Sequence, residues 1–206
     1  MENESIVPDH VREHLRQDPV LAPLLEGPEP RWRDDYGGDV YFGLLRSIAY
    51  QQLSGKAAGT IWGRFLALFP DGYPHPEQLL ELEDTAIRGA GMSRSKTNYL
   101  RNVANYWREH KLLNADWEKY SDQEILEMLT SIKGVGNWTT EMVLMFVLHR
   151  EDLLPVDDLV VRRGIMELYG VSEDLRGKKL VAELERVTAG WRPYRSWGSR
   201  YVWARG

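Results

Sequence analysis

The chain has no cysteine. This excludes disulfides, thiolate zinc sites and cysteine-ligated iron–sulfur clusters. No run of about 18 apolar residues exists, the length a membrane-spanning helix requires. The first twenty residues, MENESIVPDHVREHLRQDPV, are acidic and polar, unlike a secretory signal. No segment alternates apolar and polar residues for long enough to build a sheet, and no low-complexity linker interrupts the chain. An excess of basic charge is also lacking. Twenty-six Lys and Arg face 31 Asp and Glu, a net charge of -5, which argues against a large phosphate-binding surface.

The distribution of charge is less uniform than its sum. From Arg186 to Gly206 there are five arginines and no acid, interleaved with Trp191, Tyr194, Trp197, Tyr201 and Trp203. Such a tail reads either as a terminal helix with a core stripe and a solvated face, or as a basic aromatic surface for nucleic acid.

What the 206 residues contain in abundance is helical periodicity. Tyr41, Leu44, Leu45, Ile48 and Ala49 recur at i, i+3, i+4, i+7 and i+8. GKAAGTIWGRFLALF follows at once and ends before the turn-rich PDGYPHP. PEQLLELEDTAIRGAG reads as one helix entered through Pro76. Ser93 is a candidate N-cap for a helix with Leu100, Val103, Ala104 and Trp107 on one stripe. Ser121 and Glu124 have the spacing of a capping box. NWTTEMVLMFVLHR is apolar enough for a buried central helix, and three more helix-like segments follow the EDLLPVD loop. The expected fold is all-α, with nine or ten helices. The EDLLPV loop is the candidate boundary, between a lobe at 40–154 and a second lobe built from 1–39 plus 155–206.

One interruption is abrupt. SIKGVGNW places Gly134 and Gly136 between two helical runs. Glycines there permit backbone torsions and close approaches that a Cβ would block. The second helix would point its unpaired N–H groups into the turn, a natural seat for phosphate, and Lys133 adds positive charge. A tight turn of this kind can also aim carbonyls at a monovalent cation that bridges to phosphate, a structural sodium or potassium ion, with Thr130, Ile132 and Val135 as the carbonyl donors. A plain αα-hairpin with glycine caps has the same pattern.

About twenty residues downstream stands LPVDDLVVRRG, with Asp at a helix start. Alone, that Asp is a cap. Hairpin, apolar helix, proline loop and capping Asp in this order resemble the helix–hairpin–helix DNA glycosylase superfamily. SIAYQQLSGKAAGTI, GAGMSRSKTNYL and GWRPYRSWGSRYVWARG are similar to segments of its 3-methyladenine DNA glycosylase II (AlkA-type) branch, in a compact form without the extra N-terminal β-domain. The resemblance covers residues 40–206. It implies a two-lobed helical fold with an active-site cleft between the lobes. The implied activity is hydrolysis of alkylated bases from damaged double-stranded DNA in base excision repair. A monomer is implied, with no organic cofactor and no catalytic metal, in the cytoplasm at a bacterial nucleoid or in a eukaryotic nucleus.

The resemblance also implies roles. Asp158 matches the catalytic aspartate, with Asp157 adjacent as the alternative if Asp158 only caps. An anionic group beside the sugar stabilises the oxocarbenium ion and can orient or deprotonate water. Trp138 and Trp203 match aromatic positions of the base pocket, where electron-rich rings would stack on a cationic purine; otherwise they are core tryptophans. Met142 stands where some relatives have a pocket Tyr. Leu53 matches the side chain that fills the gap left by an extruded base, with Gln52 beside it; a core leucine is the competing reading. Lys133, Gly134, Val135 and Gly136 would hold the DNA backbone, as would Ser93, Arg94 and Lys96. Members that also cut the strand have a lysine where this chain has Trp138, so a monofunctional hydrolase is implied. A non-catalytic helix–hairpin–helix module that only binds DNA would need neither the Asp after LPV nor the aromatic pocket.

Overall fold

A computed structural model describes residues 4–5, 7–30, 32–33 and 37–205. Of the segments assigned above to the second lobe, residues 1–3, 6, 31, 34–36 and 206 lie outside the described residues. Those described form eleven α-helices. Their one strand pairing is a two-residue antiparallel contact, β1 (Glu4–Ser5) with β2 (Trp32–Arg33). No described helix is long and apolar enough to cross a membrane. The chain divides into two compact units, Tyr36–Val143 and Met1–Asp35 with Leu144–Gly206.

The first helix, α1 (Asp9–Leu15), belongs to the terminal unit, and α2 (Val40–Tyr50) begins the continuous 36–143 unit. Asp39 caps α2 by accepting from the Phe42 N–H at 2.9 Å. Then come α3 (Gly55–Leu66), α4 (Pro76–Glu81), α5 (Asp84–Gly89) and α6 (Arg94–His110). The α6 stripe of Leu100, Val103, Ala104 and Trp107 is buried, as are Leu44, Leu45, Ile48 and Ala49 of α2. These two helices pack together, and α4 and α5 also rest on α6. The segment expected to be one helix is two. Leu82 and Glu83 are extended, and the break is held from α6: the Arg101 guanidinium donates to the Leu80 carbonyl at 2.9 Å, to the Leu82 carbonyl and to Asp84. A long-range arginine thus offsets the helical bonds that the sequence pattern would otherwise have kept. α7 (Asp122–Thr130) begins with the expected Ser121/Glu124 capping box. The chain leaves the unit inside α8 (Asn137–Phe146).

The terminal unit combines both ends of the sequence. Val7, Val11, Leu15, Leu21 and Leu25 share a core with residues of α9 (Leu159–Tyr169), α10 (Gly177–Val187) and α11 (Arg195–Arg205). Asp18 ties these segments together. Its Oδ1 accepts from the Val20 and Leu21 amides, and its Oδ2 accepts from the Tyr169 hydroxyl at 2.6 Å and the Trp191 indole at 3.1 Å. The EDLLPVD loop is fastened to the start of α11. Ser196 donates from its amide to Glu151 O and from its hydroxyl to Arg150 O, and it accepts from the Leu153 amide. Asp152 receives Arg195 Nε at 2.5 Å and Arg192 at 2.8 Å.

Four of the five tail arginines are paired with acids, three of them at the surface. Arg192 and Arg195 hold Asp152, Arg186 pairs with Glu183, and Arg205 lies 3.5 Å from Glu167. Arg200 is 2% exposed, with its guanidinium 5.0 Å from the Trp197 ring centroid. Burial pulls its pKa down to about 9.

Packing in this unit leaves no room at Gly198, where a Cβ would stand 2.5 Å from the fully buried Trp191 ring. Gly198→Ala should lower stability by about 1–3 kcal/mol, the usual cost of overpacking. Gly63→Ala, in the exposed interior of α3 with nothing near its Cβ, should raise it by about 0.5–1 kcal/mol. Urea denaturation of both variants checks the pair; equal effects would refute the packing argument.

Candidate functional site

The hairpin joins α7 to α8. The Val135 amide donates to Ile132 O at 3.0 Å and closes the turn, while the buried Val135 side chain anchors it. Asn102 of α6 donates to Lys133 O at 2.9 Å. The two glycines have different reasons to be there. Gly134 has φ +107°, and a Cβ would lie 2.3 Å from the Tyr99 ring. Gly136 has neither constraint: its φ is ordinary and no atom comes within 4 Å of its Cβ position. Its carbonyl accepts from the Thr140 amide at 3.0 Å, which makes it the N-cap of α8. A glycine cap has no side chain to occupy the first amides of the helix. The turn thus offers N–H groups and the exposed Lys133 to an anion.

The loop after α2 lies beside this hairpin in the same unit. Gln51 ends α2 and donates to the Thr139 hydroxyl at 3.4 Å. Gln52 has φ +59°, and this left-handed residue turns the chain so that Leu53 projects from the loop. Leu53 is 40% exposed, so the core reading of this leucine fails. Ser93 caps α6 by accepting from the Lys96 amide. The Lys96 ammonium is drawn inward to Ala49 O at 2.7 Å, and partial burial lowers its pKa. Lys96 therefore braces the root of the Leu53 loop, while Arg94 remains exposed.

In the terminal unit, Asp158 caps α9. Its Oδ1 accepts from the Val160 and Val161 amides, each at 2.9 Å, and its own amide donates to Pro155 O. The residue is 6% exposed, whereas Asp157 is exposed. Of the two aspartates, Asp158 is the one fixed in a polar frame. Trp203 is partly buried with its ring 5.6 Å from Phe146. On α8, Trp138 is 38% exposed and Met142 is buried.

Among the described residues, five large apolar side chains are exposed: Leu53, Leu113, Trp138, Leu159 and Val160. Two are residues singled out from the sequence. Two more, Leu159 and Val160, follow Asp158 directly and were missed. The signal was present, because both fall off the α9 stripe formed by buried Val161 and Ile165.

Gly134→Ala should cost about 1–3 kcal/mol from backbone strain alone, and Gly136→Ala less than about 1 kcal/mol, an ordinary cap change. Thermal melts of the two variants test this; equal losses would mean that Tyr99 does not set the glycine requirement.

Residues 45–189 match the model of the HhH-GPD superfamily base excision DNA repair protein. The chain is 34% identical over 165 residues to DNA-3-methyladenine glycosylase 1 of Schizosaccharomyces pombe, covering 79% of this chain and 71% of that protein. The structure of the S. pombe 3-methyladenine DNA glycosylase in complex with abasic DNA superposes with a TM-score of 0.77 at 30% identity, over 94% of this chain and 95% of that one. A DNA-3-methyladenine glycosidase from Bacillus halodurans gives 0.78 at 34% identity, over 98% and 91%. An all-helical chain with this hairpin, and with an aspartate-capped helix after it, belongs to the HhH-GPD superfamily of base excision DNA repair proteins.

Proposed function

We propose that the protein is a monofunctional DNA glycosylase that hydrolyses alkylated purines from duplex DNA. The observation that carries this reading is the placement of exposed apolar side chains. Four of the five lie at the Leu53 loop, at Trp138 of the hairpin helix and directly after the buried Asp158; the fifth is Leu113. A protein that only grips the backbone has no use for apolar groups there. One that extracts a base needs a side chain to enter the stack and rings to receive the base. The relatives named as 3-methyladenine glycosylases support the same substrate class.

An alkylated purine such as N3-methyladenine carries positive charge. When its glycosidic bond breaks, the bonding pair goes to the base and neutralises it, so no strong general acid is required. The sugar is left as an oxocarbenium ion. Asp158 stabilises that cation through its charge and accepts the proton of the water that adds to the sugar carbon. Its two backbone donors fix the carboxylate in place before the charge develops. Trp138 and Trp203 stack on the purine, and Met142, one turn along α8 from Trp138, completes the pocket. The hairpin from Lys133 to Gly136 binds phosphate, aided by Arg94 and the Ser93 turn. The carbonyls of Thr130, Ile132 and Val135 are hard oxygen donors of the kind that suit sodium or potassium; Ile132 O already accepts one bond and has a second acceptor position. No lysine stands at position 138, so release occurs by water rather than through a Schiff base.

Asp158→Asn should cut release by about 100- to 1,000-fold. Asn is also a good cap, so thermal stability and affinity for abasic DNA should stay near those of the unmodified protein. Chromatography of bases freed from alkylated duplex measures this. In the same assay the unmodified protein should leave the strand uncut, with no adduct trapped by borohydride. Binding without any base release would favour a non-catalytic module. An active Asp158→Asn beside an inactive Asp157→Asn would move the role to Asp157, and a trapped adduct would refute the hydrolytic route.

Leu53→Ala should weaken base extrusion by about 1–2 kcal/mol, at roughly 0.8 kcal/mol per methylene removed from contact. Because Leu53 is exposed, thermal stability should change by less than about 0.5 kcal/mol. Fluorescence of 2-aminopurine next to the lesion reports extrusion; unchanged extrusion would place the wedge elsewhere in the 50–55 loop.

A further inference from the structure

Helix α6 has a polar face beside the hairpin. Ser95, Asn98, Asn102 and Asn105 recur at i, i+3, i+7 and i+10, with Tyr99 among them, so they share one side. Together with Lys133 they line a groove of about 480 Å³. Asparagine is a poor residue for a helix interior, and this helix places three on one face. Hydrogen bonds orient two of the three, Asn102 and Asn105, as donors. Arg108 donates to Asn105 Oδ1 at 3.1 Å, which leaves the Asn105 amide hydrogens for an acceptor. Asn102 donates to Lys133 O and joins the groove to the hairpin turn.

Charge favours an anionic occupant. Met92 to Arg108 contains four of the chain's 26 basic residues and none of its 31 acids. The first acid of α6 is Glu109. Arg101 also borders the groove, but it is committed to Asp84 and to the Leu80 and Leu82 carbonyls. Direct contacts would therefore come from Lys133 and from Ser, Asn and Tyr groups, which are common partners of the DNA sugar–phosphate chain. Ser95 to Asn105 spans ten helical steps of about 1.5 Å, or about 15 Å. That equals about four base-pair steps of roughly 3.4 Å.

We propose that this face of α6 is a second DNA-backbone site, which continues the phosphate track of the hairpin into the flanking duplex. The proposal rests on the glycosylase reading for its ligand. It adds the path of the DNA and makes affinity depend on duplex length.

The test uses Asn98→Asp, Asn105→Asp and the double variant. Gln78→Glu on α4 is the control, because it adds a charge at an exposed position outside the groove. Affinity for abasic-analogue duplexes, long and trimmed on either flank, is measured by fluorescence anisotropy over a range of salt. The double variant should bind the long duplex at least about tenfold more weakly at low salt. Trimming one flank should remove the difference, and Gln78→Glu should stay within about twofold of the unmodified protein. Base release at saturating DNA should persist. Groove variants that match the control on every duplex overturn the proposal, while persistent Asp158-dependent release would leave the glycosylase reading intact. Inorganic phosphate that relieves an Asn98 resonance shift without affecting duplex affinity would mark a small-anion site and also overturn it. Failure of the unmodified protein to bind alkylated duplex, or to release base from it, overturns both readings.

Discussion

A carboxylate withdrawn from water must be met by donors, and Asp158 meets them at the first turn of α9. Much of the terminal unit serves that placement. Val161 and Ile165 sink α9 into the core, and Gly164 allows it to approach Val202 of α11, where a Cβ would stand 2.3 Å from the valine side chain. The beginning of α11 in turn grips Arg150–Leu153, the loop that leads to the aspartate, through Ser196 and the Asp152–arginine pairs. The position of the carboxylate is thus fixed by backbone donors and packed side chains.

The hairpin divides its work between two glycines. One satisfies the protein: Gly134 lets the turn pass beneath Tyr99. The other, Gly136, caps α8 through its carbonyl but has neither a positive φ nor a neighbour that would exclude a Cβ. A cap without a side chain leaves the first amides of the helix open to an anion.

Most of the helices were legible because they are amphipathic. The α2 and α6 stripes were complete in the sequence, as was the capping box at Ser121. What could not be read depended on distant partners. The break at Leu82–Glu83 is enforced by Arg101, about twenty residues away. The tail arginines look like a basic surface until Asp152, Glu183 and Glu167 are placed beside them. Lys96 has the sequence context of a phosphate contact and the geometry of a brace. Leu159 and Val160 were visible as apolar residues off the stripe, but their exposure depends on how α9 packs, which the local pattern does not fix.

The threading of the terminal unit has a consequence for synthesis. Val7, Val11 and Leu15 find their partners in α9 to α11, near the other end of the chain. The 36–143 unit is continuous and can close as it emerges, whereas the leading segment waits for well over a hundred further residues. At about 5–20 residues per second, its apolar side chains stay without their final cover for some ten seconds or more. The short length of α1 and its density of charge, DHVREHL, suit that interval. A segment so polar stays dispersed while unpaired, until α9 to α11 have followed it and complete its burial.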